Sequence, residues 1–296
     1  MSELETDDVR IHFTEHGSAH GEPVLLLHGW PDNASTWDDV IVRFPGHRYR
    51  LIVPTIRGFG ESVFKHDDVP RTANSGILAM DAIALMDGLG IECFSAVGHD
   101  WGSNIAEALA IGWPDRVAKI ALLSSMPRMG GLAMPPFPQA QRYWYHWFMA
   151  TKRGAKAIAD DRKSFTHLQW ENWGPDGWFD ERTFEYVSTS FDNPEWVAVT
   201  LHSYRVRWGE AEPDPRSLWL EDAIKETKTL SLPAIYIQGH EDGVNPPNLS
   251  ENVHEKFTGP FQRILLQNVG HFPQREDPES TAKELALFLD ARVERL

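Results

Sequence analysis

The chain alternates between two hydrophobic patterns: short apolar runs bounded by glycine or proline, and longer segments with helical spacing. Short apolar runs of this kind are typical of strands buried on both faces of a parallel sheet. Six such strands are predicted, at residues 23–27, 49–54, 95–98, 119–124, 234–239 and 263–266. Four helices are predicted between or after them, at residues 73–89, 104–111, 249–257 and 280–295. This alternation predicts an α/β fold with a mostly parallel, doubly wound sheet.

The middle of the chain breaks this alternation. Residues 128–228 contain no strand-like run, but they hold most of the tryptophans of the chain. Large aromatic side chains can fill the limited core of a small helical subdomain, and some of them can line a pocket against the sheet. We therefore predict a first core segment at 1–127, a helical cap at 128–228 inserted after the sixth strand, and a second core segment at 229–296.

The composition excludes several classes of protein. The 28 Lys and Arg residues against 43 Asp and Glu residues give a formal net charge of −15 at pH 7. An acidic surplus disfavours binding to nucleic acid or an anionic membrane, and the apolar runs are too short to span a bilayer. The acidic first ten residues do not resemble a secretory signal, and the single Cys93 excludes an internal disulfide and a cysteine-based zinc site. We expect a cytoplasmic monomer or homodimer with neither nucleic-acid nor membrane partners.

One motif carries candidate chemistry. Gly98-His99-Asp100-Trp101-Gly102 lies between a predicted strand and a predicted helix, with Asp100 in the central position of a nucleophile elbow. The glycines permit a tight turn, and the N–H groups of the following helix point toward developing negative charge. Asp100 could equally be an ordinary helix N-cap. The motif alone leaves both interpretations open.

Three further loops favour a catalytic site. Trp30 lies in a loop after the strand at 23–27, Asp242 follows the strand at 234–239, and His271 follows the strand at 263–266. The order Asp100, Asp242, His271 is that of nucleophile, acid and base in an α/β-hydrolase triad. Each residue follows the carboxyl end of a strand, where open α/β sheets bind their ligands.

Together with Arg57-Gly58-Phe59-Gly60-Glu61-Ser62, these motifs resemble the α/β-hydrolase superfamily over essentially the whole chain, and within it the branch of epoxide hydrolases and haloalkane dehalogenases. The resemblance implies an α/β-hydrolase fold without a metal or organic cofactor. It also implies an oxyanion hole formed by the backbone N–H groups of Trp30 and Trp101.

An aspartate nucleophile points to displacement at saturated carbon. A carboxylate is ionised at neutral pH and needs no activating base, whereas its attack on a carbonyl would give an anhydride. The alkyl ester formed on Asp100 would be hydrolysed by water activated by His271, with Asp242 orienting the imidazole. The expected substrate is a small apolar epoxide or halogenated compound.

The cap residues bear on the leaving group. Epoxide opening needs a proton donor, and the epoxide hydrolases that this chain resembles supply two cap tyrosines. Tyr204 resembles one of them in its sequence setting, and both Tyr143 and Tyr145 lie near the position of the other. The sequence leaves the choice between these two open.

A halide leaving group needs N–H donors instead. The indole of Trp101 is one candidate, and His146, Trp147 and Tyr204 resemble the halide-binding residues of fluoroacetate dehalogenases. Those enzymes hold the substrate carboxylate with two arginines just after the nucleophile, where this chain has Trp101 and Asn104. The resemblance therefore implies that carboxylate recognition is lost. We rank epoxide hydrolase first and haloalkane or haloacid dehalogenase second, while a non-catalytic ligand-binding module is disfavoured by the intact triad.

Overall fold

The computed structural model describes residues 2–291, so residues 292–295 of the last predicted helix lie outside it. Within these residues the strands form one sheet in the order β1-β2-β4-β3-β6-β7-β8-β9, with β5 paired to β2. The strands are β1 (Ser2–Glu5), β2 (Val9–Gly17), β3 (Glu22–Leu27), β4 (Tyr49–Pro54), β5 (Val63–Phe64), β6 (Phe94–His99), β7 (Val117–Leu123), β8 (Ala234–Gly239) and β9 (Phe261–Leu266). Strands β3, β4 and β6 to β9 pair in parallel, which confirms the predicted α/β fold.

The three strands absent from the sequence-based prediction, β1, β2 and β5, pair in antiparallel fashion at one side of the sheet. In β2 the inward residues Val9, Ile11 and Phe13 alternate with more exposed positions. This period of two is the ordinary pattern of a strand buried on one face, so a search for continuous apolar runs misses it. Strands β1 and β5 are short and carry no strong pattern of their own.

The helices cover both faces of the sheet and form the insert. They are α1 (Asp38–Ile41), α2 (Ser75–Gly88), α3 (Trp101–Gly112), α4 (Phe137–Arg142), α5 (Trp144–Ala150), α6 (Lys152–Asp160), α7 (Arg162–Trp173), α8 (Glu181–Ser188), α9 (Trp196–Arg207), α10 (Leu218–Glu226), α11 (Pro273–Glu276) and α12 (Pro278–Asp290). The helix predicted over 249–257 is wrong, because that segment forms two short 3₁₀ turns, Pro247–Ser250 and Val253–Lys256. Its Ser250 hydroxyl donates to Gln238 of β8 and accepts from Arg263 of β9, which ties the segment closely to the sheet.

The core lies on both sides of the sheet. Along β3, Leu25 and Leu27 pack into one hydrophobic cluster, whereas Val24 and Leu26 pack into the other. Helices α2 and α3 cover the first cluster, and α1 and α12 cover the second. Burial on both faces explains why the central strands are apolar at nearly every position.

A helical insert, α4 to α9, lies between β7 and β8. It follows the sixth strand of the sheet when the two-residue β5 is left out of the count. Helix α10, which the sequence-based prediction assigns to the cap, packs on the core helices instead: Leu220 lies against Gly112 of α3, and Glu221 against Gly76 of α2. The exact segment boundaries remain a prediction. In the part of the chain that the structure describes, no helix has the length and apolarity needed to cross a membrane.

Candidate active site

Asp100 occupies a sharp turn between β6 and α3, with φ of 51° and ψ of −110°. Such a backbone is unfavourable for a residue with a side chain, and the surroundings must hold it in place. The backbone around the turn is packed so closely that the flanking positions must be glycine. A Cβ on Gly98 would overlap the Gly102 carbonyl, and a Cβ on Gly102 would overlap the Leu27 carbonyl. The Asp100 carboxylate makes no capping hydrogen bond to α3. Of the two interpretations of the motif, the structure therefore favours the elbow over the ordinary N-cap.

The structure brings the three predicted triad residues together. Nδ1 of His271 donates to Asp242, at 3.0 Å from Oδ2 and 3.1 Å from Oδ1. Nε2 of the same ring lies 3.7 Å from Asp100 Oδ2 and has no hydrogen-bond partner among the described residues. The free Nε2 is where a water molecule can bind beside the Asp100 carboxyl carbon. Asp242 also accepts hydrogen bonds from the backbone N–H groups of Val244 and Asn245, both at 2.8 Å.

The charges of the triad stabilise one another in a buried setting. Burial alone lowers the pKa of His271, but the negative charges of Asp242 and Asp100 outweigh burial and raise the pKa to about 10. For the Asp100 carboxyl, burial acts in the opposite direction and raises the pKa. The hydrogen bonds and charge of His271 and the N–H of Trp30 outweigh burial and hold this pKa below its ordinary value. The charges of Asp100 and His271 therefore favour each other, so the pKa of the imidazole rises while that of the Asp100 carboxyl falls.

Glu276 holds the loop that carries His271, and the sequence analysis missed this residue. Its carboxylate accepts hydrogen bonds from the N–H groups on either side of His271, Gly270 at 2.5 Å and Phe272 at 2.8 Å. The His271 N–H donates to the Trp173 carbonyl at 2.9 Å. The only sequence signal is an acidic residue five positions after the histidine, which is too common to single it out.

The backbone N–H of Trp30 donates to Asp100 Oδ1 at 2.9 Å, so this predicted oxyanion donor lies against the carboxylate. Trp101 is the first residue of α3, directly after Asp100. The Trp30 indole donates to the Thr200 hydroxyl of α9, which joins the oxyanion loop to the insert. His28 accepts the Ile56 N–H and is kept neutral by burial, which lowers its pKa to about 4.

Tyr145 and Tyr204 approach Asp100 from the insert, and both are 2% exposed. Their rings lie 5.8 and 5.1 Å from the Trp30 ring and 5.6 Å from each other. Tyr204 also lies 5.6 Å from the Trp101 ring. Burial, together with the negative charge of Asp100, raises the pKa of both hydroxyls well above the ordinary value, so both stay protonated at neutral pH.

The other predicted cap residues have different surroundings. The Tyr143 hydroxyl donates to Asn245 at 2.6 Å, and the Trp147 indole donates to the Ala140 carbonyl at 2.9 Å. His146 is buried, and its Nδ1 accepts from the Trp208 indole at 3.1 Å. This bond assigns the proton to Nε2, which has no partner among the described residues, and the ring lies 4.6 Å from that of Tyr204.

A family model described as the alpha/beta hydrolase fold matches residues 22–278 of the chain. The protein belongs to this family. A relative from Mycobacterium tuberculosis, epoxide hydrolase A, is 24% identical, and the match covers 97% of this chain and 96% of the relative. Fluoroacetate dehalogenase from a Burkholderia species is 32% identical over 68% of this chain and 67% of its own length. A solved structure from Klebsiella pneumoniae, provisionally described as an epoxide hydrolase, superimposes with a TM-score of 0.89 at 30% identity, covering 97% and 96% of the two chains.

The relatives thus lie in the branch of epoxide hydrolases and dehalogenases of this hydrolase family, as the sequence motifs indicate. Within residues 2–291 no group of three or more His, Cys, Asp or Glu side chains is arranged to hold a metal ion. Three buried ionisable residues, Asp100, Asp242 and His271, follow the carboxyl ends of β6, β8 and β9.

Proposed function

We propose that this protein is an epoxide hydrolase that uses Asp100 as a covalent nucleophile. The observation that carries the proposal is the pair of buried insert tyrosines, Tyr145 and Tyr204, packed on Trp30 next to the Asp100 carboxylate. An alkoxide leaving group needs a proton donor, and two protonated phenols beside a carboxylate nucleophile meet that need. The curated relative from M. tuberculosis that matches nearly the whole chain is itself named an epoxide hydrolase.

In the first step an oxygen of Asp100 attacks one ring carbon of the epoxide, and the bond from that carbon to the ring oxygen breaks. The ring oxygen takes a proton from Tyr145 or Tyr204, which leaves a tyrosinate and a hydroxyalkyl ester on Asp100. The buried pocket strengthens these interactions, because little water competes for the phenol hydrogens.

In the second step His271 takes a proton from water, and the hydroxide attacks the ester carbonyl of Asp100. The backbone N–H groups of Trp30 and Trp101 stabilise the tetrahedral oxyanion. The bond to the alkoxide then breaks, and His271 returns the proton taken from water to release the diol. The remaining carboxyl proton passes to His271, which restores the imidazolium and the Asp100 carboxylate.

The change in charge prepares His271 for this role. While Asp100 is ionised, it helps to keep the imidazole protonated, so His271 cannot act as a base. Esterification removes the charge of Asp100 and with it part of the effect that raises the pKa. The imidazolium can then give its proton to the tyrosinate left by the first step. The neutral imidazole accepts a proton from water, while Asp242 still stabilises the cation that forms.

Dehalogenation is the second candidate, because the N–H of His146 Nε2 is unpartnered beside Tyr204 and a fluoroacetate dehalogenase is among the relatives. The position of the Trp147 indole disfavours dehalogenation. Its N–H is already bonded to the Ala140 carbonyl and is not available to a halide beside Asp100. A halide would have to bind to His146, Tyr204 and Trp101 instead.

A parallel assay separates the two functions. Purified protein is incubated with styrene oxide, a bromoalkane and fluoroacetate, and the diol, bromide and fluoride are measured. We expect diol formation that is lost in the Asp100→Ala variant. Halide release without diol formation, dependent on the same residue, would replace the proposed function by dehalogenation.

A further inference from the structure

Two arginines from separate parts of the chain meet beside the candidate site. Arg128 lies in the loop after β7, and Arg207 is the last residue of α9. Together with Ser75 they line two adjoining spaces, an outer cleft of about 440 Å³ and a narrow inner recess of about 10 Å³. The recess continues to Trp101, the residue that follows Asp100, and to Tyr204. Two arginine side chains therefore line the space that leads from the outer cleft toward Trp101 and Tyr204.

Glu107 and Glu221 act on the charge of Arg128, but neither of them forms an ion pair with it. Within residues 2–291 neither guanidinium lies within salt-bridge distance of a carboxylate, and Nη1 of Arg128 donates only to the Ser75 hydroxyl, at 2.6 Å. The inner recess contains no acidic residue. Burial, together with the neighbouring charge of Arg207, lowers the pKa of Arg128 to about 10, so Arg128 remains a cation at neutral pH.

The outer cleft also contains Glu107, Glu212, Glu221 and Lys225. Two of its acids are engaged elsewhere. Glu107 accepts the backbone N–H groups of Arg128 and Met129, and Glu221 accepts from Asn74 and Gly76. Two neighbouring guanidinium groups, neither of them in an ion pair, favour the binding of an anion at their junction.

We propose that Arg128 and Arg207 bind a carboxylate on the substrate, so that the enzyme acts on short epoxides that carry an acid group. This inference rests on the proposed function and narrows it. It replaces the expectation of a purely apolar substrate. It also assigns carboxylate recognition to residues that are distant in sequence from Trp101 and Asn104, the two positions after the nucleophile, but line the same recess.

The position of the arginines also indicates the length of the substrate. Asn104, which lines the recess with them, lies four residues beyond Asp100 on α3, or about 6 Å at the helical rise of 1.5 Å per residue. A substrate that reaches both Asn104 and Asp100 therefore has several bonds between its anionic group and its reacting carbon. In fluoroacetate the two carbons are directly bonded, so that compound fits this spacing poorly.

The kinetic test compares the terminal epoxide of hexanoic acid with the primary amide of the same acid, which has the same shape without the charge. We expect kcat/KM to be at least about tenfold higher for the acid, since charged hydrogen bonds carry this much binding. Arg128→Met and Arg207→Met should each lower kcat/KM for the acid by about tenfold or more and leave the amide nearly unchanged. Arg205→Met is the matched control, because Arg205 also lies on α9 but donates to the Met149 carbonyl outside the recess.

A binding test does not depend on turnover. Hexanoate and hexanamide are titrated calorimetrically into Asp100→Ala and into the same variant with Arg207→Met or Arg207→Lys. We expect hexanoate to bind to Asp100→Ala. This binding should be lost when Arg207→Met is added and partly kept when Arg207→Lys is added, because lysine retains the charge. Binding of this kind without epoxide turnover would refute only the proposed function. Equal turnover of acid and amide, unchanged in the arginine variants, would overturn the carboxylate site and leave the epoxide hydrolase intact.

Discussion

Replacing His271 by alanine should stop the proposed reaction after its first step. The imidazole Nε2 lies 3.7 Å from Asp100 Oδ2 and has no other partner in the described structure, so it faces the position of the attacking water. Asp100 keeps its hydrogen bond from the Trp30 N–H in the variant. Alkylation should therefore continue, whereas ester hydrolysis loses its general base, an effect of about 10²- to 10⁴-fold.

The size of this effect predicts nearly one equivalent of ester per active site, because the ester would be consumed at least about a hundred times more slowly than in the wild type. The substitution also removes the cationic partner of Asp242, and breaking a buried pair costs about 3–5 kcal/mol. Because Asp242 keeps its hydrogen bonds from Val244 and Asn245, we expect a cost near the lower limit, within the stability of an ordinary domain. Thermal unfolding of the variant checks this.

Intact-protein mass spectrometry after mixing the variant with substrate measures the ester, and peptide mapping should locate the added mass at Asp100. Asp242→Asn is the matched control, since it keeps the imidazole and should accumulate less ester. In the wild type, a single turnover in ¹⁸O-labelled water should place the label in the Asp100 carboxylate. Two results together would refute a covalent nucleophile: a folded His271→Ala protein that forms no adduct, and label in the first-turnover product of the wild type. They would show that water attacks the substrate directly.

Three further predictions follow from the geometry. Asp100→Ala should abolish turnover without changing the circular dichroism spectrum. A folded variant that keeps its activity would exclude Asp100 as the nucleophile. Tyr145→Phe and Tyr204→Phe should each lower the rapid-quench alkylation rate by about 10²- to 10⁴-fold, whereas Tyr143→Phe, which loses only a bond to an asparagine, should not. Burial raises the pKa of the Asp214 carboxyl, but hydrogen bonds from its arginine and threonine partners outweigh burial and lower it. These hydrogen bonds therefore stabilise the fold above about pH 4, and the stabilisation is lost as the pH falls further. Asp214→Asn should thus cost about 1–3 kcal/mol in urea unfolding at pH 7 and progressively less below pH 4.

The parallel core and the triad were predictable because their signals are local. Strands buried on both faces must be apolar at nearly every position, and a sharp elbow needs glycines on both sides of Asp100, so both features are visible in short stretches of sequence. The antiparallel β2 was missed because only one of its faces is buried. The segment at 249–257 has helical spacing, yet its bonds to β8 and β9 impose tight turns, an effect of tertiary contacts that local preference does not contain.

The surroundings of the site were decided by tertiary structure. Tyr143 and Tyr145 are two residues apart, and only the packing of α5 against the oxyanion loop directs Tyr145 to Trp30 and Tyr143 to Asn245. Arg128 and Arg207 belong to a core loop and an insert helix, and no local pattern relates them. By itself the sequence determined the parallel strands of the sheet and the loops that carry the candidate triad, because these depend on steric and hydrophobic rules within a few residues. The tertiary structure decided which side chains meet above Asp100, because that depends on how distant segments pack.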